Sequence, residues 1–207
     1  MSKKLIITIA RQYGSGGREI GERVAALLNL PIYDRLLITE AASKGNLSEE
    51  ILKKADESAT NSLLYTLAMG SNSMGAMMHF GYKMPLNDKL FLLQSDVIKD
   101  YANLGGGIFI GRCADYVLRD EPNVLKLFIY GDLDHRKARV AERHPELKSH
   151  QIVDVINKTD KRRSTYYNFY TGNKWGNFEN YDMAINSSTL GIEGTAELIY
   201  EFAKKMM

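Results

Sequence analysis

Leu5-Ile6-Ile7-Thr8-Ile9-Ala10, then Arg11-Gln12-Tyr13-Gly14-Ser15-Gly16-Gly17-Arg18, then Glu19 onward to Leu30: this stretch decides how the chain folds. Its first six residues are β-rich and almost continuously apolar, the pattern of a central strand covered on both faces by helices. The next eight hold Gly14, Gly16 and Gly17. From Glu19 on, Ile20, Val24, Leu27 and Leu28 recur at helical spacing. Strand, glycine-rich loop and helix in that order point backbone N–H groups and a helix N-terminus at the strand's carboxyl edge. An anion is stabilised there, phosphate above all. A tight strand-to-helix turn with no ligand is the other reading of the same residues.

Outward from this unit the alternation repeats. Ile108-Phe109-Ile110-Gly111 and Val124 to Tyr130 read as buried strands, and Met183 to Asn186 as a short one. Pro31 and Tyr33-Asp34 break or redirect the chain. Helices are expected over Leu36 to Ser43, from Ser48 toward Leu67, over Pro85 to Ala102, Cys113 to Leu118, Asp132 to about Arg143, Gln151 to Tyr170, and Gly191 to Lys205. Strands alternating with helices imply a parallel sheet with right-handed crossovers. The fold class is therefore α/β, a single domain over 1–207 with a helical insert at about 45–102.

Residues 69–85 carry Met69, Met74, Met77, Met78 and Met84 among glycines and serines. Soft apolar side chains of this kind suit a contact with a second copy of the chain, giving a homodimer. They suit a helical hairpin that fills a core equally well.

Composition narrows the function. The 207 residues are 44% apolar and 25% charged, which fits a globular domain rather than a disordered or fibrous one. One cysteine, Cys113, excludes an intrachain disulfide framework; with no export signal at the start, it favours a cytoplasmic setting. No apolar stretch reaches 18 residues, so no membrane span is expected. A net charge of +2 demands no nucleic-acid polymer as partner. The cations are nevertheless clustered, at 135–144 and 158–163.

The loop departs from the standard nucleotide motif G-x-x-x-x-G-K-[ST]: Gly17 stands in the lysine's place and Arg18 in the hydroxyl's. The dinucleotide fingerprint fails at Glu19. Arg18 is expected to supply the missing cation, with Arg11 a second donor. Arg112, just after the second buried strand, faces the usual ligand crevice of a parallel sheet. Arg136, Arg139 and Arg143 share a helical face. They repel one another unless an anion intervenes, or unless the face is simply solvated beside Glu142 and Glu146. Asp160 and Arg163, three apart, can pair or share a ligand. Asp34 could accept from a ribose or base, and Arg35 could hold a substrate phosphate. Tyr166 to Trp175 form an aromatic stretch that can stack on a base or pack in the core. No spacing of His or Cys suggests zinc, no magnesium ligand is identifiable, and Ser15 has no His and Asp partners for serine hydrolysis.

These residues carry a likeness. Ile7 to Gly21, Leu30-Pro31-Ile32-Tyr33-Asp34, Ile110-Gly111-Arg112-Cys113-Ala114-Asp115, Asp160-Lys161-Arg162-Arg163, Tyr166 and Thr171-Gly172-Asn173-Lys174-Trp175-Gly176 together resemble the cytidylate-kinase-like family, a branch of the P-loop nucleoside monophosphate kinases. The resemblance implies a three-layer P-loop kinase-like fold with a central parallel sheet and an arginine-rich lid at about 134–150. It implies transfer of the terminal phosphoryl of ATP, with magnesium, to a small-molecule nucleotide, CMP or dCMP. By similarity Gly14, Ser15, Gly16, Gly17, Arg18 and Glu19 surround the donor phosphates. Asp34 and Arg35 lie toward the acceptor, and Arg112 contacts the acceptor phosphate. Arg136, Arg139 and Arg143 sit on the lid, with Asp160 and Arg163 near the phosphates. The missing lysine and hydroxyl keep two alternatives open: a nucleotide-binding protein with little turnover, or a small-molecule kinase with a different acceptor.

Overall fold

The computed structural model describes residues 4–34, residue 40 and residues 86–207. Among these the chain runs through β1 (Ile6–Arg11), α1 (Gly17–Leu28), β2 (Ile32–Tyr33), α2 (Leu86–Gly105), β3 (Gly107–Ile110) and α3 (Ala114–Val117). It continues through β4 (Val124–Tyr130), α4 (Leu133–Arg143), α5 (Ser149–Thr171), a short 3-10 turn (Phe178–Asn180), β5 (Met183–Asn186) and α6 (Ser187–Lys204). The five strands form one sheet in the order β2-β3-β1-β4-β5, with every pairing parallel.

β1 lies at the centre because it is apolar on both faces. Ile7 and Ile9 pack with Ile20 and Val24 of α1 and with Ala196, Ile199 and Ala203 of α6. Ile6 points the other way, toward Leu90, Val97, Ile98 and Ala102 of α2 and toward Phe109. A period-two strand with apolar residues at both phases must be covered on both sides. The result is three layers, helix on sheet on helix.

The sheet also places the site. β1 pairs with β3 on one side (Ile9↔Ile110) and with β4 on the other (Arg11↔Ile129). The connection after β1 runs toward β2 and the one after β3 crosses over to β4, so these neighbours lead off in opposite directions, and such a switch point opens a crevice beyond their carboxyl ends.

Three expectations change. β2 adds a fifth strand where only a break was expected; two residues after Pro31 are too few to show a period. Residues 86–102 of the expected insert form α2, a layer of the core, because Leu90, Val97 and Ile98 are fully buried against the sheet. The last helix begins at Ser187 rather than Gly191: the Asn186 side chain accepts from the Ser188 amide at 3.0 Å and caps it. Gly191 instead marks a kink inside that helix, at φ 66° and ψ −170°. The helices expected at Leu36 to Ser43 and from Ser48, the methionine-rich stretch 69–85 and its homodimer contact, and Arg35 lie outside the described residues. No described helix is long and apolar enough to cross a membrane.

Candidate active site

Gln12 to Gly16 turn between β1 and α1. Gly14 and Gly16 both adopt left-handed backbone, at φ 80° and 78°, which a residue with a Cβ enters only at a cost. Space forbids a side chain too: a Cβ on Gly14 would lie 2.9 Å from the Arg136 carbonyl oxygen, and one on Gly16 would strike Ile192. The loop is tied down around its outer side. Gln12 donates its amide to the Ile129 carbonyl at 2.9 Å, Ser15 Oγ donates to the Gln12 carbonyl at 2.9 Å, and Ser187 Oγ donates to the Ser15 carbonyl at 2.7 Å. Among the described residues no protein acceptor pairs with the Gly14 or Gly16 amide. With the open first-turn amides of α1, they face the crevice as donors for an anion.

The strongest ties come from α4 and α5. Asp160 accepts the Tyr13 amide on Oδ1 at 2.7 Å and the Arg136 guanidinium on Oδ2 at 2.7 Å. Arg136 Nε donates to the Tyr13 carbonyl at 2.9 Å. Both backbone polar groups of one loop residue are thus held by one buried ion pair. Burial pushes the Asp160 carboxyl up; its bond from Tyr13 and the charges of Arg136 and Arg163 oppose that. Burial pushes the Arg136 guanidinium down against the pull of Asp160. Desolvation outweighs the attraction on both sides, as it often does for buried pairs.

The three arginines of α4 therefore divide. Arg136 is spent on the loop, so its expected place as a cation closing over a donor does not match its surroundings. Arg139 and Arg143 both reach Glu19 in the first turn of α1. That carboxylate gathers two cations above the loop, with Arg139 Nη2 beside Gly16. Arg18, the expected substitute for lysine, is more than half exposed and turns away: its Nε lies 3.0 Å from Glu22 and 3.6 Å from Asp34.

Beside the loop a cavity of about 150 Å³ opens at the ends of β1 and β3. Arg11, Gly111, Arg112, Arg162, Arg163 and Tyr166 are among its walls, with Trp175, Tyr167 and Asp115. Four guanidinium groups around one space repel one another unless something anionic sits among them. The effect is visible on Arg11, whose guanidinium is pushed down to about 9 by burial and then by Arg163, with Asp34 opposing and Arg112 and Arg18 adding to the fall. Arg112 and Cys113 follow β3 in left-handed backbone at φ 59° and 55°. Strained backbone of this kind clusters at functional sites, and both residues line the cavity. Opposite them Tyr167 donates to Asp115 at 2.6 Å, and burial raises that carboxyl. Burial also raises the Cys113 thiol, which keeps it protonated and unreactive.

A phosphate-type loop and an arginine-walled cavity at neighbouring strand ends agree with what the comparisons find, a match to one kinase family over residues 6–189. The chain belongs to the cytidylate kinase-like family. No curated protein matches it. A crystal structure of an uncharacterized protein from Eubacterium ventriosum is 25% identical, covers 97% of this chain and 99% of its own, and superposes with a TM-score of 0.72. Shikimate kinase from Bacteroides thetaiotaomicron shares the fold at 12% identity, with 98% and 99% coverage and a TM-score of 0.55. The central parallel sheet and its flanking helices are thus those of a P-loop kinase-like fold.

For a cytidylate kinase-like chain, the loop fits a polyphosphate: open amides, a helix N-terminus and nearby arginines are the donors such a group needs. Magnesium is held in such sites largely by the phosphates themselves, with one or two carboxylates. Glu19 is the carboxylate at this loop. Among the described residues no three His, Cys, Asp or Glu side chains cluster as a metal site of their own. Of the other expected residues, Arg112 and Arg163 line the cavity, Asp34 lies between Arg18 and Arg11, and Ser15 is wholly buried with its hydroxyl turned into the loop. Arg11, expected only as a second donor beside the loop, lines the cavity as well.

Proposed function

We propose that the protein is an ATP-dependent, magnesium-assisted kinase whose acceptor is a nucleoside monophosphate, CMP or dCMP, working in the cytoplasm. The observation that carries this reading is the arginine-walled cavity opening directly beside the glycine loop, at the carboxyl ends of β1 and β3. Two anion sites side by side are what direct transfer between two phosphates requires. Family membership supports kinase chemistry, and the family's description is what favours CMP as the acceptor.

In this reading the loop from Gly14 to Glu19 holds the donor phosphates through its amides. Arg112 holds the acceptor phosphate, with Arg163 beside it. The cavity is smaller than the ~300–1,000 Å³ of a typical small-molecule site, so it takes the anionic end of the acceptor rather than the whole nucleotide. Asp34 serves the rest of the acceptor. Arg139 and Arg143 belong to the segment at about 134–150 that closes over the donor once Glu19 yields them. Arg136 and Asp160 are positioning residues, acting through Tyr13. Closure excludes water that would otherwise take the phosphoryl group.

The test is ADP formation with ATP and magnesium across a panel of nucleoside monophosphates, with bound nucleotide measured in parallel. Turnover with CMP or dCMP above all others is the expected result. Turnover with a different phosphorylated or carboxylated acceptor would replace the acceptor and keep the kinase. Nucleotide binding without turnover on any acceptor would refute the kinase reading.

A further inference from the structure

Four arginines near the loop are already committed. Arg136 is bound to Tyr13 and Asp160, Arg139 and Arg143 are bound to Glu19, and Arg18 faces Glu22 and Asp34. Arg11 differs. Among the described residues no hydrogen bond or ion pair uses its guanidinium, although its own carbonyl accepts from Arg163 Nη1 at 3.0 Å. Its course is fixed by two glycines. The stem crosses Gly17, where an added Cβ would lie 2.6 Å from Arg11 Cβ and 3.0 Å from its Cγ. The guanidinium then rests on Gly111, where an added Cβ would strike Nη1. Gly17 is the position at which a standard loop carries lysine. No lysine fits there while Arg11 crosses it.

We propose that Arg11 supplies the cation of the missing loop lysine, entering from the strand instead of the helix and bridging the donor loop to the acceptor cavity. The inference rests on the kinase reading above and adds a residue to it. Arg11 starts at the last position of β1, where the glycine loop begins, and ends as a wall of the cavity between Arg112 and Arg163. A group passing from one site to the other crosses its guanidinium. During transfer an acceptor phosphate oxygen forms a bond to the γ-phosphorus of ATP. The bond from that phosphorus to the bridging oxygen breaks, and its electron pair leaves on ADP. Arg11 keeps all its protons and donates hydrogen bonds to the oxygens of the moving phosphoryl group. A planar fork suits that task better than a point charge, since it can hold two oxygens at once. Burial lowers its proton affinity most and crowding by Arg163, Arg112 and Arg18 lowers it further; an arriving anion relieves the crowding.

The experiment moves the cation between its two possible origins. Four proteins are compared with wild type: Arg11→Met, which keeps the apolar stem over Gly17; Arg11→Gly; Gly17→Lys; and Arg11→Gly with Gly17→Lys, which restores the first glycine and the lysine of the standard loop but not its hydroxyl. Inorganic pyrophosphate binding is measured by titration calorimetry, transfer from ATP to CMP by ADP release, and folding by circular dichroism. Arg11→Met is expected to fold, to bind pyrophosphate at least tenfold more weakly and to lose about 10²–10³ in kcat, the range for removing one preorganised donor. Gly17→Lys alone is expected to be worse folded, because its Cβ collides with Arg11. The double variant is expected to regain at least tenfold in pyrophosphate affinity over Arg11→Gly.

Arg11→Met binding pyrophosphate within twofold of wild type would overturn the proposal. So would a loss that the double variant fails to recover, since that marks Arg11 as a structural support. If wild type transfers to no acceptor, the kinase reading falls alone, and the pyrophosphate series still decides Arg11. If wild type binds no pyrophosphate, both fall.

Discussion

Breaking the pair between Arg136 and Asp160 tests how the loop is held. The two side chains are 7% and 16% exposed, so solvent screens them little. Removing one partner strands the other as a buried charge, which costs about 3–5 kcal/mol. Asp160→Asn keeps an oxygen for the Tyr13 amide but leaves the Arg136 charge unmatched, so its loss should fall in that range. Arg136→Met strands the carboxylate and leaves the Tyr13 carbonyl without its donor, so it should cost at least as much. The double variant strands no charge. Because desolvation already outweighs attraction on both partners, it should cost less than the sum of the singles by about 2 kcal/mol or more. Urea unfolding measures the three values. At about 2–4 °C per kcal/mol for a chain of this size, each single variant should lower Tm by roughly 6–20 °C. Asp160 also leaves a pH signature. Its folded pKa lies above the ordinary 3.8, so its contribution is full below that value and is lost as pH rises through the folded pKa. Asp160→Asn should remove that slope. Additive losses, or singles below about 1 kcal/mol, would refute the idea that this pair clamps Tyr13.

Three further outcomes are expected. Glu19→Gln should tighten ATP binding several-fold, because Arg139 and Arg143 lose the carboxylate that competes with phosphate. Its cost in stability should stay within about 1 kcal/mol, since the groups are partly exposed; weaker ATP binding in the titration would instead make Glu19 a direct support of the donor or its metal. Arg112→Ala should raise the KM for the acceptor by about 10- to 100-fold, the scale of one charged hydrogen bond, and leave the Kd for ATP within twofold. Equal loss of both in steady-state kinetics and titration would move Arg112 out of the acceptor site. Arg18→Ala should leave pyrophosphate binding within twofold of wild type, since its side chain faces Glu22 and Asp34; a tenfold loss in calorimetry would restore it to the donor site.

The local units were legible in the sequence because each is written in neighbouring residues. Leu5 to Ala10 read as a covered strand from its nearly continuous apolar run, and Gly14, Gly16 and Gly17 read as a tight turn. The three-and-four spacing of Arg136, Arg139 and Arg143 put them on one helical face. Spacing along a helix says which residues share a face, but not what that face meets. Only the packing of α4 and α5 against the loop turned Arg136 inward to Tyr13 and Asp160 and left Arg139 and Arg143 to Glu19. β2 was hidden because two residues carry no period; it exists because Ile32 and Tyr33 pair with Ile108 and Phe109, some 76 positions away.

The same division runs through the site. Gly17 in place of lysine was plain in the sequence, and Arg18 beside it was the natural substitute by proximity along the chain. In space a different side chain lies over Gly17. Parallel pairing of β1 with β3 brings Gly111 next to the end of β1, and α1 brings Gly17 under the same side chain, so Arg11 lies across both. Residue types and local periods were determined by the sequence itself, through backbone sterics and apolar spacing. Which cation faces which anion was decided by tertiary structure, because charges meet across strands and helices that the chain order keeps far apart.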